Sequence, residues 1–90
     1  MKAIRIIVTG KVQGVFFRQH TKQTAGKLSI KGFVQNRSDG SVYIEAEGEE
    51  ESMEQFIQLC KQGTASSKVE NISVSEITLI GFKNFIIRYE

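Results

Sequence analysis

The sequence contains no proline, one cysteine and one histidine among its 90 residues. The single cysteine, Cys60, cannot form a disulfide within the chain. One histidine, one cysteine and scattered carboxylates do not provide the spacing of a metal-ligand set, so we expect no metal site. Without proline, a repeat or a low-complexity tract, nothing in the composition indicates a linker or a disordered segment.

Long hydrophobic runs and a strong excess of either charge are also missing. The apolar run at residues 4–8 is short and contains Arg5, which excludes a signal sequence core or a membrane span. The net charge is only +2, with basic and acidic residues interleaved, so no long polyanion is required as a partner, although a small anion remains possible.

These limits predict a single domain over residues 1–90, because 40% hydrophobic content in a chain of this length builds one core. We expect a soluble, cytoplasmic monomer with no nucleic acid and no membrane partner. The sequence leaves open an exported form whose signal has been removed.

The hydrophobic pattern predicts alternating strands and helices. Residues 3–9, rich in β-branched side chains, predict a first strand, and helical spacing of apolar or small residues follows over about 17–27. Residues 30–35 and 42–46 predict a hairpin. A second helix that ends near Gly63 is predicted by an apolar stripe of Met53, Phe56, Ile57 and Cys60. Two further strands are predicted at 69–80 and 85–89. This βαββαβ order with a terminal strand predicts an α/β (α+β) ferredoxin-like sandwich, with two helices on one face of an antiparallel sheet.

The chemically distinctive segment is the loop between the first strand and the first helix. It reads Gly10-Lys11-Val12-Gln13-Gly14-Val15-Phe16-Phe17-Arg18. Backbone N–H groups of such a loop and of the following helical turn can converge on an anion. The segment matches neither a P-loop nor a dinucleotide fingerprint. Val12 occupies the position where cysteine phosphatases carry their thiolate, so we expect water to be the attacking group.

Two titratable residues after the glycines, Arg18 and His20, are candidates for a role in the chemistry. Arg18 could bind phosphoryl oxygens through its planar guanidinium, or it could be a solvated helix residue in a surface ion pair. His20 follows two positions later and faces another side of the helix, which favours a solvated residue over a general base.

Asn36, at the end of the second strand, offers an uncharged acceptor and donor that could hold a water molecule. From its position alone, an Asx hydrogen bond that starts the following turn is the better interpretation.

Two segments of the sequence resemble known signatures. Val8 to Arg18 is similar to the N-terminal signature of acylphosphatases, and Gly32-Phe33-Val34-Gln35-Asn36 with Asp39-Gly40, Val42 and Gly48 resembles the second signature of that family. The resemblance implies hydrolysis of small acyl phosphates to a carboxylate and inorganic phosphate, without a metal or cofactor. It assigns phosphate binding and catalysis to Arg18, and orientation of the attacking water to Asn36.

The resemblance also implies a phosphate cradle built from backbone groups. Its members are Gln13, Gly14, Val15, Phe16 and Phe17. One departure is visible, because Thr64 follows Gly63 where the family commonly has proline.

A non-catalytic anion-binding or RNA-binding module on the same scaffold is the alternative function. Lys31-Gly32-Phe33-Val34 resembles part of an RNA-binding signature. The third strand, however, places one aromatic residue, Tyr43, beside the acidic Glu45, where RNA-binding domains carry paired stacking aromatics.

Overall fold

The computed structural model describes residues 1–89 and shows five strands and two helices within that range. The elements are β1 (Lys2–Lys11), α1 (Phe17–Lys27), β2 (Lys31–Asn36), β3 (Val42–Gly48), α2 (Glu50–Gln62), β4 (Lys68–Ile77) and β5 (Phe85–Ile87). Their order confirms the βαββαβ prediction with its terminal strand. No helix in this range has the length and apolar character that crossing a membrane requires.

The strands form one sheet in the order β4-β1-β3-β2-β5. β1 pairs antiparallel with β3 and β4, and β2 pairs antiparallel with β3. The predicted antiparallel pairing holds among β1 to β4, and the terminal strand β5 runs parallel to β2, so the five-stranded sheet is mixed. The last residue of β4 lies at the same end of the sheet as the first residue of β2. The chain crosses the sheet at that end and then enters β5, which therefore runs in the same direction as β2.

These strand directions bring three carboxyl ends together. β1, β2 and β5 all finish at the same end of the sheet, because β1 and β2 both run opposite to β3 and β5 follows β2. The β1–α1 loop, the β2–β3 turn and the residues after β5 therefore meet at one place.

Both helices cover one face of the sheet through a single hydrophobic core. Alternate residues of β1, namely Ile4, Ile6 and Val8, pack in one cluster with Phe17 and Ala25 of α1 and with Met53, Phe56 and Cys60 of α2. The predicted stripe on α2 is thus confirmed, with Ile57 at its edge. Cys60 is a buried core residue, and burial raises the pKa of its thiol to about 12. Because little thiolate is present at neutral pH, Cys60 is not a nucleophile.

The strand predicted to reach Ile80 ends earlier, at Ile77, because the next backbone groups bind a side chain. Glu47 of β3 is only 4% exposed, and its carboxylate accepts hydrogen bonds from the N–H groups of Ile80, Gly81 and Phe82. Burial alone would raise the pKa of Glu47, but these three donors outweigh it and hold the pKa below the usual 4.5. The carboxylate therefore fixes the crossover between β4 and β5.

Glu47→Gln should destabilise the fold in a pH-dependent way. Because the folded state holds the lower pKa, the ionised carboxylate stabilises the protein fully above its usual value of 4.5, and this contribution is lost as the pH falls through the lowered folded value. Urea unfolding should therefore show a wild-type advantage at neutral pH that shrinks in acid. An advantage that stays constant from neutral pH to about pH 3 would contradict this assignment. Glu54→Gln, on the exposed side of α2, is the matched control.

Candidate active site

A pocket of about 220 Å³ lies where α1 begins and where β2 and β5 end. The two predicted site residues Arg18 and Asn36 both line it, although they belong to different elements. The full lining is Val12, Gly14, Phe16, Phe17, Arg18, Gln19, Asn36, Ile87 and Tyr89.

The loop that borders this pocket is shorter than the sequence suggested. Gly10 and Lys11 belong to β1 and pair with β4 beyond a bulge between Thr9 and Gly10. Gly10 adopts a φ of 120° there, and a Cβ at this position would collide with the backbone of β4. The loop proper therefore spans residues 12–16, and the glycine at position 10 serves the strand and not the anion.

The backbone of this loop forms a concave set of donors. Gly14 has a φ of 72° and Phe16 a φ of 63°, whereas the residue between them has ordinary negative φ. Such alternation turns successive N–H groups toward a common point. A left-handed conformation is costly for phenylalanine, and the Phe16 side chain is 73% exposed, so the conformation is not explained by burial of the ring.

The same donors have no acceptor within the part of the chain that the structure describes. None of the N–H groups of residues 13–19 donates to another group of residues 1–89, and the first backbone bond of α1 is from His20 to Phe16. α1 has neither a side-chain cap nor an acidic residue in its first turn. Unpaired N–H groups and the positive end of the helix dipole therefore face an open pocket, which suits an anion.

A contact with Tyr89, which follows β5, holds Arg18 at the pocket. Its guanidinium carbon lies 5.0 Å from the centroid of the Tyr89 ring, at cation–π distance. Tyr89 follows β5 on the same side as Ile87 and is 74% exposed. Sequence reasoning missed this residue, because its position beside Arg18 depends on the parallel pairing of β5 with β2.

Asn36 keeps an unused acceptor. Its side-chain oxygen Oδ1 is buried and has no hydrogen-bond partner within the described residues. The Asx interpretation is wrong for this residue, since Asp39 takes that role and accepts from the Ser41 N–H at 2.9 Å and the Ser41 hydroxyl at 2.6 Å. Those two bonds lower the pKa of the Asp39 carboxyl. Because Asn36 lines the pocket, its amide lies beside any molecule bound there.

Two of the predicted cradle residues use their side chains elsewhere. The Gln13 amide Nε2 donates to the carbonyl oxygens of Arg37 and Ser41, at 2.7 and 2.9 Å, and so ties the loop to the turn that follows Asn36. Val15 is 5% exposed and packs in the core. Gly14, Phe16 and Phe17 line the pocket directly.

The lining of the pocket contains no serine, threonine, cysteine, histidine or acidic side chain. Val12, 1% exposed, lines the pocket, and His20 does not. Within residues 1–89, no three histidine, cysteine or acidic side chains come together as a metal site would require. Of the predicted site groups, Arg18, Asn36 and the backbone donors can therefore act on a bound molecule.

The helix-free face of the sheet does not offer free rings for stacking on RNA bases. The Arg88 guanidinium lies 3.7 Å from the centroid of the Phe33 ring, and that of Arg37 lies 4.0 Å from Tyr43. Phe82 packs edge-on against Phe33, which is only 5% exposed. Because base stacking needs accessible rings, this face does not favour the RNA-binding alternative.

Comparisons with known proteins agree with the geometry. A family model described as acylphosphatase matches residues 4–87. An acylphosphatase from Thermotoga petrophila is 45% identical over 89 residues, which is 99% of each chain. The crystal structure of acylphosphatase from Bacillus subtilis matches with a TM-score of 0.97 and 46% identity, covering 99% of this chain and 100% of that one. An acylphosphatase structure from Coxiella burnetii gives a TM-score of 0.93 at 34% identity, covering 97% and 92%.

Inorganic phosphate should bind at the free backbone donors. In a titration followed by ¹H–¹⁵N correlation spectra, we expect the largest shifts at amides within residues 13–19, because an anion would be their first acceptor. The start of α2 is an internal control, since Glu50 and Glu51 in its first turn repel an anion. Equal shifts at both helix starts would contradict a specific cradle.

Proposed function

Because this chain belongs to the acylphosphatase family and is thus an enzyme that hydrolyses acyl phosphates, we propose that Arg18 and the loop N–H groups bind the phosphoryl group while Asn36 orients the attacking water. The observation that carries this assignment is the meeting in one pocket of Arg18, Asn36 and backbone donors that have no acceptor.

Positively charged and dipolar groups bind the phosphoryl group, and these groups need no proton transfer. The guanidinium of Arg18 stays charged at physiological pH and can donate two parallel hydrogen bonds to phosphoryl oxygens. N–H groups of Gln13, Gly14, Val15, Phe16 and Phe17 supply further donors in fixed directions. Preorganised donors of this kind stabilise the charge of a phosphoryl-transfer transition state without reorganisation during the reaction.

Orientation of the water falls to a neutral group. The unpaired Oδ1 of Asn36 can accept a hydrogen bond from a water molecule, and an amide does not titrate. Gln13 donates to the turn directly after Asn36, so the phosphate side and the water side of the pocket are linked. Positioning of this kind replaces a chance encounter with a fixed attack geometry.

The proposed reaction needs no side-chain acid or base. Water attacks phosphorus as the bond between phosphorus and the carboxyl oxygen breaks, which releases a carboxylate and inorganic phosphate. The conjugate acid of that leaving group has a pKa of roughly 4 to 5, by analogy with Asp and Glu, so it departs without protonation. The proton of the attacking water passes to the phosphate oxygens.

The remaining expectations from the sequence belong to the same proposal. A single domain over residues 1–90 acts as a cytoplasmic monomer on a small acyl phosphate, without a cofactor, metal or nucleic acid. These statements stay predictions.

Substitution of the two site residues separates their roles. Arg18→Ala should reduce kcat/KM for acetyl phosphate by about 10³-fold or more, because it removes the only charged group proposed to bind the phosphoryl oxygens. Asn36→Ala should lower kcat by about 10²-fold and leave the inhibition constant of inorganic phosphate unchanged, because it acts on the water. Both are measured by steady-state hydrolysis.

Two matched controls accompany these variants. Arg5→Ala on the helix-free face and Asn71→Ala on the edge strand β4 alter exposed residues outside the pocket and should retain wild-type rates. An unchanged rate in Arg18→Ala would sink the proposed mechanism, and so would a loss of phosphate affinity in Asn36→Ala with kcat preserved.

Substrate choice should follow the leaving group. In the presence of EDTA we expect hydrolysis of a carboxyl phosphate and a kcat/KM at least about 10²-fold lower for an alkyl phosphate monoester, whose alkoxide needs a general acid that the proposal does not include. Comparable turnover of the two substrates, or loss of acyl phosphate hydrolysis in EDTA, would contradict the mechanism.

A further inference from the structure

The loop between α2 and β4 touches the phosphate cradle through one hydrogen bond. The hydroxyl Oγ1 of Thr64 donates to the carbonyl oxygen of Val15 at 2.9 Å, across 49 positions of sequence. Val15 lies between the two left-handed residues of the cradle, Gly14 and Phe16. The contact therefore joins the centre of the proposed phosphate-binding loop to a separate part of the fold.

Thr64 is itself held firmly. Its N–H donates to the Ser67 hydroxyl at 2.7 Å, and that hydroxyl donates back to the Thr64 carbonyl at 3.0 Å. The N–H of Ser67 also reaches the Thr64 carbonyl, at 3.1 Å. Bonds within this turn leave the Thr64 hydroxyl as the group that points outward to the cradle.

The carbonyl that Thr64 binds controls the direction of a cradle donor. Val15 C=O and Phe16 N–H belong to one planar trans peptide unit, in which the two bonds point in opposite directions. When the Val15 carbonyl accepts the hydrogen bond from Thr64, the Phe16 N–H points away from the α2–β4 loop. Phe16 itself lines the pocket.

A competing orientation of this peptide is available. Rotation of the unit by half a turn would bring φ of Phe16 from 63° to the negative values that non-glycine residues favour. The same rotation would aim the Val15 carbonyl oxygen at a bound phosphate, which repels it. The orientation that can bind an anion is therefore the strained one, and it requires an external hold.

We propose that Thr64 is a positioning residue, whose hydroxyl holds the Val15–Phe16 peptide in the orientation that binds the phosphoryl group. This inference rests on the function proposed above. Since the Phe16 N–H would contact phosphoryl oxygens before and during the reaction, Thr64 acts on phosphate affinity more than on the rate of the chemical step.

Thr64→Val removes the hydroxyl and keeps the shape of the side chain. We expect KM for acetyl phosphate and the inhibition constant of inorganic phosphate both to rise about tenfold, with kcat within about twofold of wild type. Thr64→Ser restores the hydroxyl and should restore both constants. In ¹H–¹⁵N spectra the Phe16 amide should shift with phosphate in the wild type and in Thr64→Ser, but not in Thr64→Val.

A threonine outside the pocket provides the control. Thr9→Val removes another hydroxyl bonded to a backbone carbonyl, that of Asn71 at 3.4 Å, and should change neither constant. Wild-type constants in Thr64→Val, or a Thr64→Ser variant as weak as Thr64→Val, would overturn the inference. Arg18→Ala, measured in parallel, tests the proposed function separately: if it alone loses phosphate affinity, only the role of Thr64 fails. Thermal unfolding sets an assay temperature at which every variant is folded.

Discussion

The site depends on a row of backbone N–H groups that find no acceptor within residues 1–89. Buried or half-buried N–H groups normally find a partner inside the fold, since an unpaired donor is costly. Residues 13–19 do not, and the loop instead carries a left-handed phenylalanine, Phe16, and an uncapped helix start. The surrounding structure supports this arrangement from several directions while the donors themselves stay free for a ligand.

That support comes from parts of the chain that are far apart in sequence. The last residues of β1 pair with β4 beyond the bulge at Gly10. The Gln13 amide donates to carbonyl oxygens of the β2–β3 turn, and the Thr64 hydroxyl donates to the Val15 carbonyl. Tyr89 lies against Arg18 from beyond the last strand. A preorganised site without a proposed side-chain acid or base suits an acyl phosphate, because this substrate already carries a good leaving group and needs only positioned charge and water.

The sequence predicted local elements well and their assembly less well. The bounds of α1 and the stripe on α2 followed from periodicity, which neighbouring residues determine. The sequence did not reveal the parallel direction of β5, which follows from the strand order. It also did not reveal that β4 ends at Ile77, ahead of the N–H groups of Ile80, Gly81 and Phe82 that Glu47 binds. An apolar alternating run cannot reveal that a distant carboxylate will take its backbone donors.

The sequence alone determined the candidate groups for chemistry on a phosphoryl group. They are the glycine-containing loop with Arg18, the amide of Asn36, and a valine where a nucleophile would stand. It also determined the family, because each signature lies within a short stretch of the chain. Only the tertiary structure decided that Asn36 keeps a free oxygen while Asp39 makes the turn, and that Gln13, Thr64 and Tyr89 support the site. The physical reason is that hydrogen bonds between distant segments depend on strand order and direction, which local periodicity does not encode.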